Sequence, residues 1–148
     1  MTHRHPRTIL LVEDSLADAE LVVDALREVH LAHTLIHVED GVDCMDYLQC
    51  RGEWARREPI NPVVVLLDIK MPRMDGLEVL TRMRSDDRLR RVPVVILSSS
   101  REESDLARGW DLGVNAYVIK SVDVSQFLES VRTSAQFWAV LNQGPEEE

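Results

Sequence analysis

The sequence predicts an α/β protein: a five-stranded parallel sheet in the order 2-1-3-4-5, with helices on both faces. Five short apolar runs alternate strictly with five helical patterns. That alternation is the mark of parallel strands joined by helical crossovers. The run at 63–67, Val-Val-Val-Leu-Leu, shows no polar alternation, as expected of a strand covered on both faces. Right-handed crossovers leave few topologies for five such units. The chosen order sets strands one and three side by side, with a crevice at their C-terminal ends.

The elements follow in order. The first strand is 8–12. Ser15 starts the first helix, with Asp18 three residues on at capping-box spacing. Ala19, Val22, Leu26 and Val29 form its buried stripe. The second strand, 34–38, carries His37 and suits an edge; the second helix covers 42–50. The loop 51–61 joins that helix to the third strand, so it should lie far from the C-terminal crevice, with Trp54 as a local packing anchor. The third strand is 63–68. Met71-Pro72 and Asp75-Gly76 turn the chain at once into a third helix, which begins near Gly76 and ends before Ser85. The fourth strand is 94–98 and the fourth helix 102–112, with Gly113 as its stop. The fifth strand is 116–120. The fifth helix starts near Asp123 and can run to Leu141.

Composition narrows the function. The 148 residues suffice for one domain, and 45% apolar content fills a normal core. No apolar run is long enough for a membrane span, and the N-terminus lacks the apolar core of a secretion signal. Cys44 and Cys50 stand about 9 Å apart along a helix, too far for a disulfide, so they read as thiols in a reduced cytoplasm. A net charge of −9 opposes nucleic-acid binding. Asp86 and Asp87 interrupt the arginines at 82, 84, 88, 90 and 91, which read as a solvated helix end.

The strands end in chemistry. Glu13-Asp14 follow the first, Asp68 ends the third, Ser98 the fourth and Lys120 the fifth. In a parallel sheet all five lie on one rim. Three clustered carboxylates repel one another, and a divalent cation removes that cost. Oxygen-only donors favour Mg²⁺ over zinc. Asp14 and Asp68 are the expected direct ligands, with Glu13 acting through water. A carboxylate can also attack phosphorus to give an aspartyl phosphate. Such transfer needs positioning and charge neutralisation, which the Lys120 ammonium and the Ser98 hydroxyl can supply. No histidine base is expected at this rim.

Glu13-Asp14, Asp68 with Met71-Pro72-Asp75-Gly76, Ser98, Tyr117 and Lys120 together resemble the receiver domain of bacterial two-component response regulators, over about 7–135. The intervals of 54, 30 and 22 residues between Asp14, Asp68, Ser98 and Lys120 fit the family, the first lengthened by the 51–61 loop. The resemblance implies a flavodoxin-like receiver fold; the single domain is expected over 7–141, with flexible termini at 1–6 and 142–148. It implies that Asp68 accepts a phosphoryl group from a sensor histidine kinase. It implies Mg²⁺ on Asp14, Asp68 and the Lys70 backbone carbonyl. It also implies that Ser98 moves toward the phosphate and Tyr117 turns inward, remodelling the face of helix 4, strand 5 and helix 5. Ser121 follows Lys120 where the family usually has proline. The inserted loop and Phe137-Trp138 resemble single-domain regulators partnered with bacterial phytochromes.

Output is expected through binding, since little chain follows the fifth helix. Val124, Leu128, Val131, Ala135 and Trp138 form an apolar stripe, which Phe127, Phe137 and Leu141 widen. A homodimer through helix 5 is the expectation. An Mg-dependent phosphatase or phosphotransferase of the haloacid dehalogenase type would need a second acid two residues after the nucleophile, and Lys70 stands there. A receiver-like binding module without phosphorylation would not need Asp14, Asp68, Ser98 and Lys120 together. The expected protein is thus a phosphoacceptor with self-catalysed phosphotransfer, not a classical enzyme.

Overall fold

The computed structural model describes residues 7–99, 103–120 and 123–142. The Lys120–Ser121 bond and Ser100 lie outside them. Five parallel strands form one sheet: β1 (Ile9–Val12), β2 (Leu35–Val38), β3 (Val64–Leu67), β4 (Val94–Ser98) and β5 (Ala116–Ile119). Their order is β2-β1-β3-β4-β5, as the alternation of patterns predicts. β1, β3 and β4 are buried along their whole length, because helices cover both sheet faces. The half-exposed β2, which carries His37, is an edge strand as expected.

Side-chain alternation along the strands divides the core into two layers. Leu10, Val12, Val65, Leu67, Val94 and Ile96 face one way, against α2 (Gly41–Gln49) and α3 (Gly76–Ser85). Ile9, Leu11, Val64, Leu66, Val95 and Leu97 face the other, against α1 (Leu16–Glu28) and α5 (Val124–Gln136). Each of these side chains, moved from water to the interior, contributes roughly 1.5–3 kcal/mol. α4 (Glu103–Asp111) joins the first layer through Gly109, where an added Cβ would sit 3.2 Å from Ile96 Cδ1.

The helix starts are held at the rim. Ser15, Asp40, Asp75 and Asp123 are the N-caps of α1, α2, α3 and α5, and each side chain accepts the backbone N–H three residues on. Such a cap stabilises its helix by about 1 kcal/mol. The capping box expected at Ser15 is only half made. Ser15 Oγ accepts the Asp18 N–H, but Glu13 Oε1, not Asp18, accepts the Ser15 N–H.

The 51–61 loop enters β3 at the end opposite Asp68. Asn61 Nδ2 donates to the Arg88 carbonyl at 2.8 Å, and Val63 N–H to the Thr8 carbonyl at 2.9 Å. Trp54 packs edge-on against Tyr47, with ring centroids 4.9 Å apart. Arg57 lies 4.0 Å over the same Tyr47 ring and donates to the Tyr47 carbonyl.

Two expectations are corrected. The arginines near the end of α3 are not simply solvated. Arg84 donates to the carbonyls of Arg90, Val92, Leu112 and Gly113, and Arg88 donates to that of Leu48. Planar guanidinium donors satisfy carbonyls that the turns leave unpaired. The stripe on α5 is also shifted. Phe127, Val131, Ala135 and Ala139 are buried, whereas Val124 is exposed. Steps of four set the buried face, and a π turn at Phe137–Leu141 prolongs it by widening the last turn.

Arg84→Met should lower the free energy of unfolding by about 2–3 kcal/mol, because four carbonyls lose a shared donor. Arg84→Lys should recover little, since an ammonium cannot span the same fork. Urea unfolding of the two variants checks this.

Candidate functional site

The rim is assembled by backbone pairing. Asp68 N–H donates to the Val12 carbonyl at 3.0 Å, and Glu13 N–H to the Val38 carbonyl at 3.1 Å. β1 and β3 therefore end level, and their terminal acids meet. Lys120 N–H donates to the Ser98 carbonyl at 2.7 Å, which brings the end of β5 beside β4. Behind Asp68 the start of α3 presses close. A Cβ on Gly76 would lie 2.2 Å from the Asp68 carbonyl oxygen, so only glycine fits there. Gly76 N–H donates to the Ile69 carbonyl at 2.8 Å, closing the turn.

Carboxylate oxygens of Glu13, Asp14 and Asp68 all lie within 4.8 Å of one another. Glu13 and Asp68 are buried, while Asp14 is exposed. Asp68 Oδ1 accepts the Ile69 N–H at 2.8 Å. The Lys120 Nζ donates to Glu13 Oε2 at 2.6 Å and stands 3.6 Å from Asp68 Oδ2. Ser98 is buried at the end of β4. Tyr117 is half-buried on β5, beside Ile96 in register and packed against the first core layer. The Lys70 side chain turns away to Asp105 on α4, with Nζ 3.7 Å from Oδ2.

Burial raises the Asp68 pKa to about 7, helped by the nearby Glu13 charge and a hydrogen bond with Glu13, against the opposing pull of Lys120 and of the Ile69 N–H. Burial pulls the Lys120 ammonium the other way. Its hydrogen bonds to Glu13 and Asp18, with the charges of Asp68 and Glu13, outweigh that and raise its pKa. The three-acid cluster contains only oxygen donors, one of them exposed to solvent. That donor set fits a hard divalent cation that keeps several waters, such as Mg²⁺.

Two residues at this rim escape the sequence reading. Asp18 sends its carboxylate to Lys120, with Oδ2 2.9 Å from Nζ. Its place three residues after the helix cap suggested a capping role instead. His37, expected on the second strand but with no role at the rim, is also here. Its Nε2 bonds the Glu13 carbonyl at 2.8 Å. The β1–β2 register, Leu11 opposite His37, brings it there. It holds a backbone carbonyl, not a carboxylate.

Comparison with known proteins gives a consistent picture. The family model described as response regulator receiver domain matches residues 9–132. The response regulator Rcp1 of Synechocystis is 38% identical over 133 residues, 90% of this chain and 89% of its own length. The crystal structure of its Mn²⁺-bound form superposes with a TM-score of 0.86, at 37% identity, covering 95% of this chain and all of that one. The phosphorylated cyanobacterial phytochrome response regulator RcpA gives a TM-score of 0.87 at 39% identity, over 96% of this chain and all of that one. The bacteriophytochrome response regulator RtBRR is 48% identical, with a TM-score of 0.77 over 95% of this chain and 85% of that one. Among the described residues no helix is long and apolar enough to cross a membrane.

The raised Asp68 pKa has a consequence for the metal-free protein. The folded state binds this proton more tightly than the unfolded chain, whose carboxyl titrates near 3.8. Its contribution to stability is fully present below that value and is lost as pH rises to about 7. Asp68→Asn cannot ionise, so in chelator it should be more stable than the parent at pH 8 by about 4 kcal/mol, from roughly 1.4 kcal/mol for each pH unit between 3.8 and about 7. The gain should vanish near pH 4. Thermal melts across this pH range check both the sign and the window.

Proposed function

The chain belongs to the response regulator receiver domain family, and on that premise we propose that Asp68 is its phosphoacceptor, modified by a sensor histidine kinase. The single observation that carries this reading is the convergence at one rim. Lys120 Nζ stands 3.6 Å from Asp68 Oδ2, and three carboxylates lie within 4.8 Å. The phytochrome response regulators among its relatives point to a phytochrome-type kinase as the donor.

In the proposed reaction a carboxylate oxygen of Asp68 attacks the phosphorus of a phosphohistidine. The new O–P bond forms as the P–N bond breaks, and its electron pair leaves on the imidazole nitrogen. Asp14, Asp68 and the Lys70 carbonyl, with Glu13 through water, would hold Mg²⁺, which when bound supplies neutralisation of phosphoryl charge. The Lys120 ammonium pairs with phosphoryl oxygen as a compact charge. The Ser98 hydroxyl donates a further hydrogen bond. The Ile69 N–H keeps Asp68 Oδ1 aimed. The protein is thus a self-catalysing phosphoacceptor, and its place is the cytoplasm with its kinase.

The signal leaves through the face of α4, β5 and α5. Ser98 moves toward the phosphoryl group and Tyr117 fills the space behind it. α4 passes close to that ring at Gly109, where a Cβ would stand 3.5 Å from Tyr117 Cδ2, in ordinary contact. Output proceeds by binding, without nucleic acid. Exposed Val124, Phe137, Val140 and Leu141 lie along α5 and its π turn, and they support a homodimer through this helix.

Incubation with a small phosphodonor and Mg²⁺, followed by intact mass, should show one phosphoryl adduct. Asp68→Ala and chelator should each abolish it; an adduct that persists in Asp68→Ala refutes the assignment. Light scattering should give a dimer at high micromolar concentration. A monomer with and without phosphorylation would refute the dimer.

A further inference from the structure

Lys120 is shared among three acids. Its Nζ lies 2.6 Å from Glu13 Oε2, 2.9 Å from Asp18 Oδ2 and 3.6 Å from Asp68 Oδ2. Asp18 is the one that comes from a helix and not from a strand end. Ser15 Oγ holds the Asp18 N–H at 3.2 Å, which fixes the first turn of α1 and with it the direction of the Asp18 side chain.

The three acceptors are not equally costly to leave. The Glu13 and Asp68 side chains are 2% and 9% exposed, so withdrawing the ammonium from either strands a buried charge. The Asp18 side chain is 39% exposed, and water can replace the lysine there. When charge is added near Asp68, the Asp18 contact is the one most easily surrendered.

We infer that Asp18 is a positioning residue: it latches Lys120 toward α1 in the unmodified protein and releases it when a phosphoryl group on Asp68 draws the ammonium across. The inference rests on Asp68 being the phosphoacceptor. A phosphoryl group on Asp68, whose Oδ2 already stands 3.6 Å from the ammonium, brings added negative charge and three acceptor oxygens that compete with Asp18 for Lys120. A contact that favours the unmodified state opposes acceptance and favours loss of the group. In acceptance from acetyl phosphate, an Asp68 oxygen bonds phosphorus and the donor's P–O bond breaks, its electron pair leaving on acetate. In loss, a water oxygen bonds phosphorus and the Asp68 oxygen leaves with the pair. The latch also ties the start of α1 to the chemistry at the end of β3.

The test measures both rates by intact mass, with acetyl phosphate and Mg²⁺, in Asp18→Asn, Asp18→Ala and Asp18→Glu. Asp24→Asn serves as a charge control, since Asp24 is also on α1 but pairs with Arg27. Asp18→Asn and Asp18→Ala should accept the group about threefold faster and lose it about threefold more slowly, as expected for one partly exposed ion pair. Asp18→Glu should stay near the parent in both rates, and Asp24→Asn should change neither. Parent-like rates in Asp18→Asn, slower acceptance, or the same effect from Asp24→Asn would overturn the latch. If the parent itself gives no adduct at Asp68, the phosphoacceptor assignment fails instead, so the two failures are distinct.

Discussion

The rim depends on one ammonium among buried carboxylates. Glu13 and Asp68 end adjacent parallel strands, so backbone pairing alone forces them together, whatever the charge cost. Lys120 offsets that cost with a 2.6 Å hydrogen bond to Glu13 and a longer approach to Asp68. It does not cancel it, for the Asp68 carboxyl still titrates near neutrality. Such a site gains most when a divalent cation enters between the acids. A cation bound among these acids would relieve the same repulsion that destabilises the metal-free fold.

The supporting scaffold serves this arrangement. β3 is buried on both faces and gives Asp68 a rigid mount. Gly76 lets α3 start within van der Waals range of the Asp68 backbone, where any side chain would collide. Four N-caps anchor the helices that ring the crevice. The Arg84 and Arg57 clamps work mainly at the other end of the sheet, satisfying turn and loop carbonyls far from the acids.

Much of this was legible in the residues. Short apolar runs located the strands to within a residue or two, and their alternation with helices implied a parallel sheet and left few possible orders. The strand-end acids, Ser98 and Lys120 could be placed on one rim because parallel strands share a direction. What escaped depended on packing across elements. Asp18 carried a local signal for capping, and only the fold shows its carboxylate beside Lys120. His37 reached the Glu13 carbonyl through the β1–β2 register, which the sequence did not specify. The α5 stripe was misphased because Val124 and Phe127 are equally apolar, and only contact with the sheet decides which is inside. Arg84 looked like surface charge because its acceptors are carbonyls from distant turns.

The most direct measurement is the position of the modified carboxylate. An aspartyl phosphate is an acyl phosphate, and borohydride reduces it to homoserine. After treatment with a phosphodonor and Mg²⁺, reduction and peptide sequencing by mass spectrometry should find homoserine at position 68 and nowhere else. Homoserine at Asp14 or another acid, with Asp68 intact, would contradict the account.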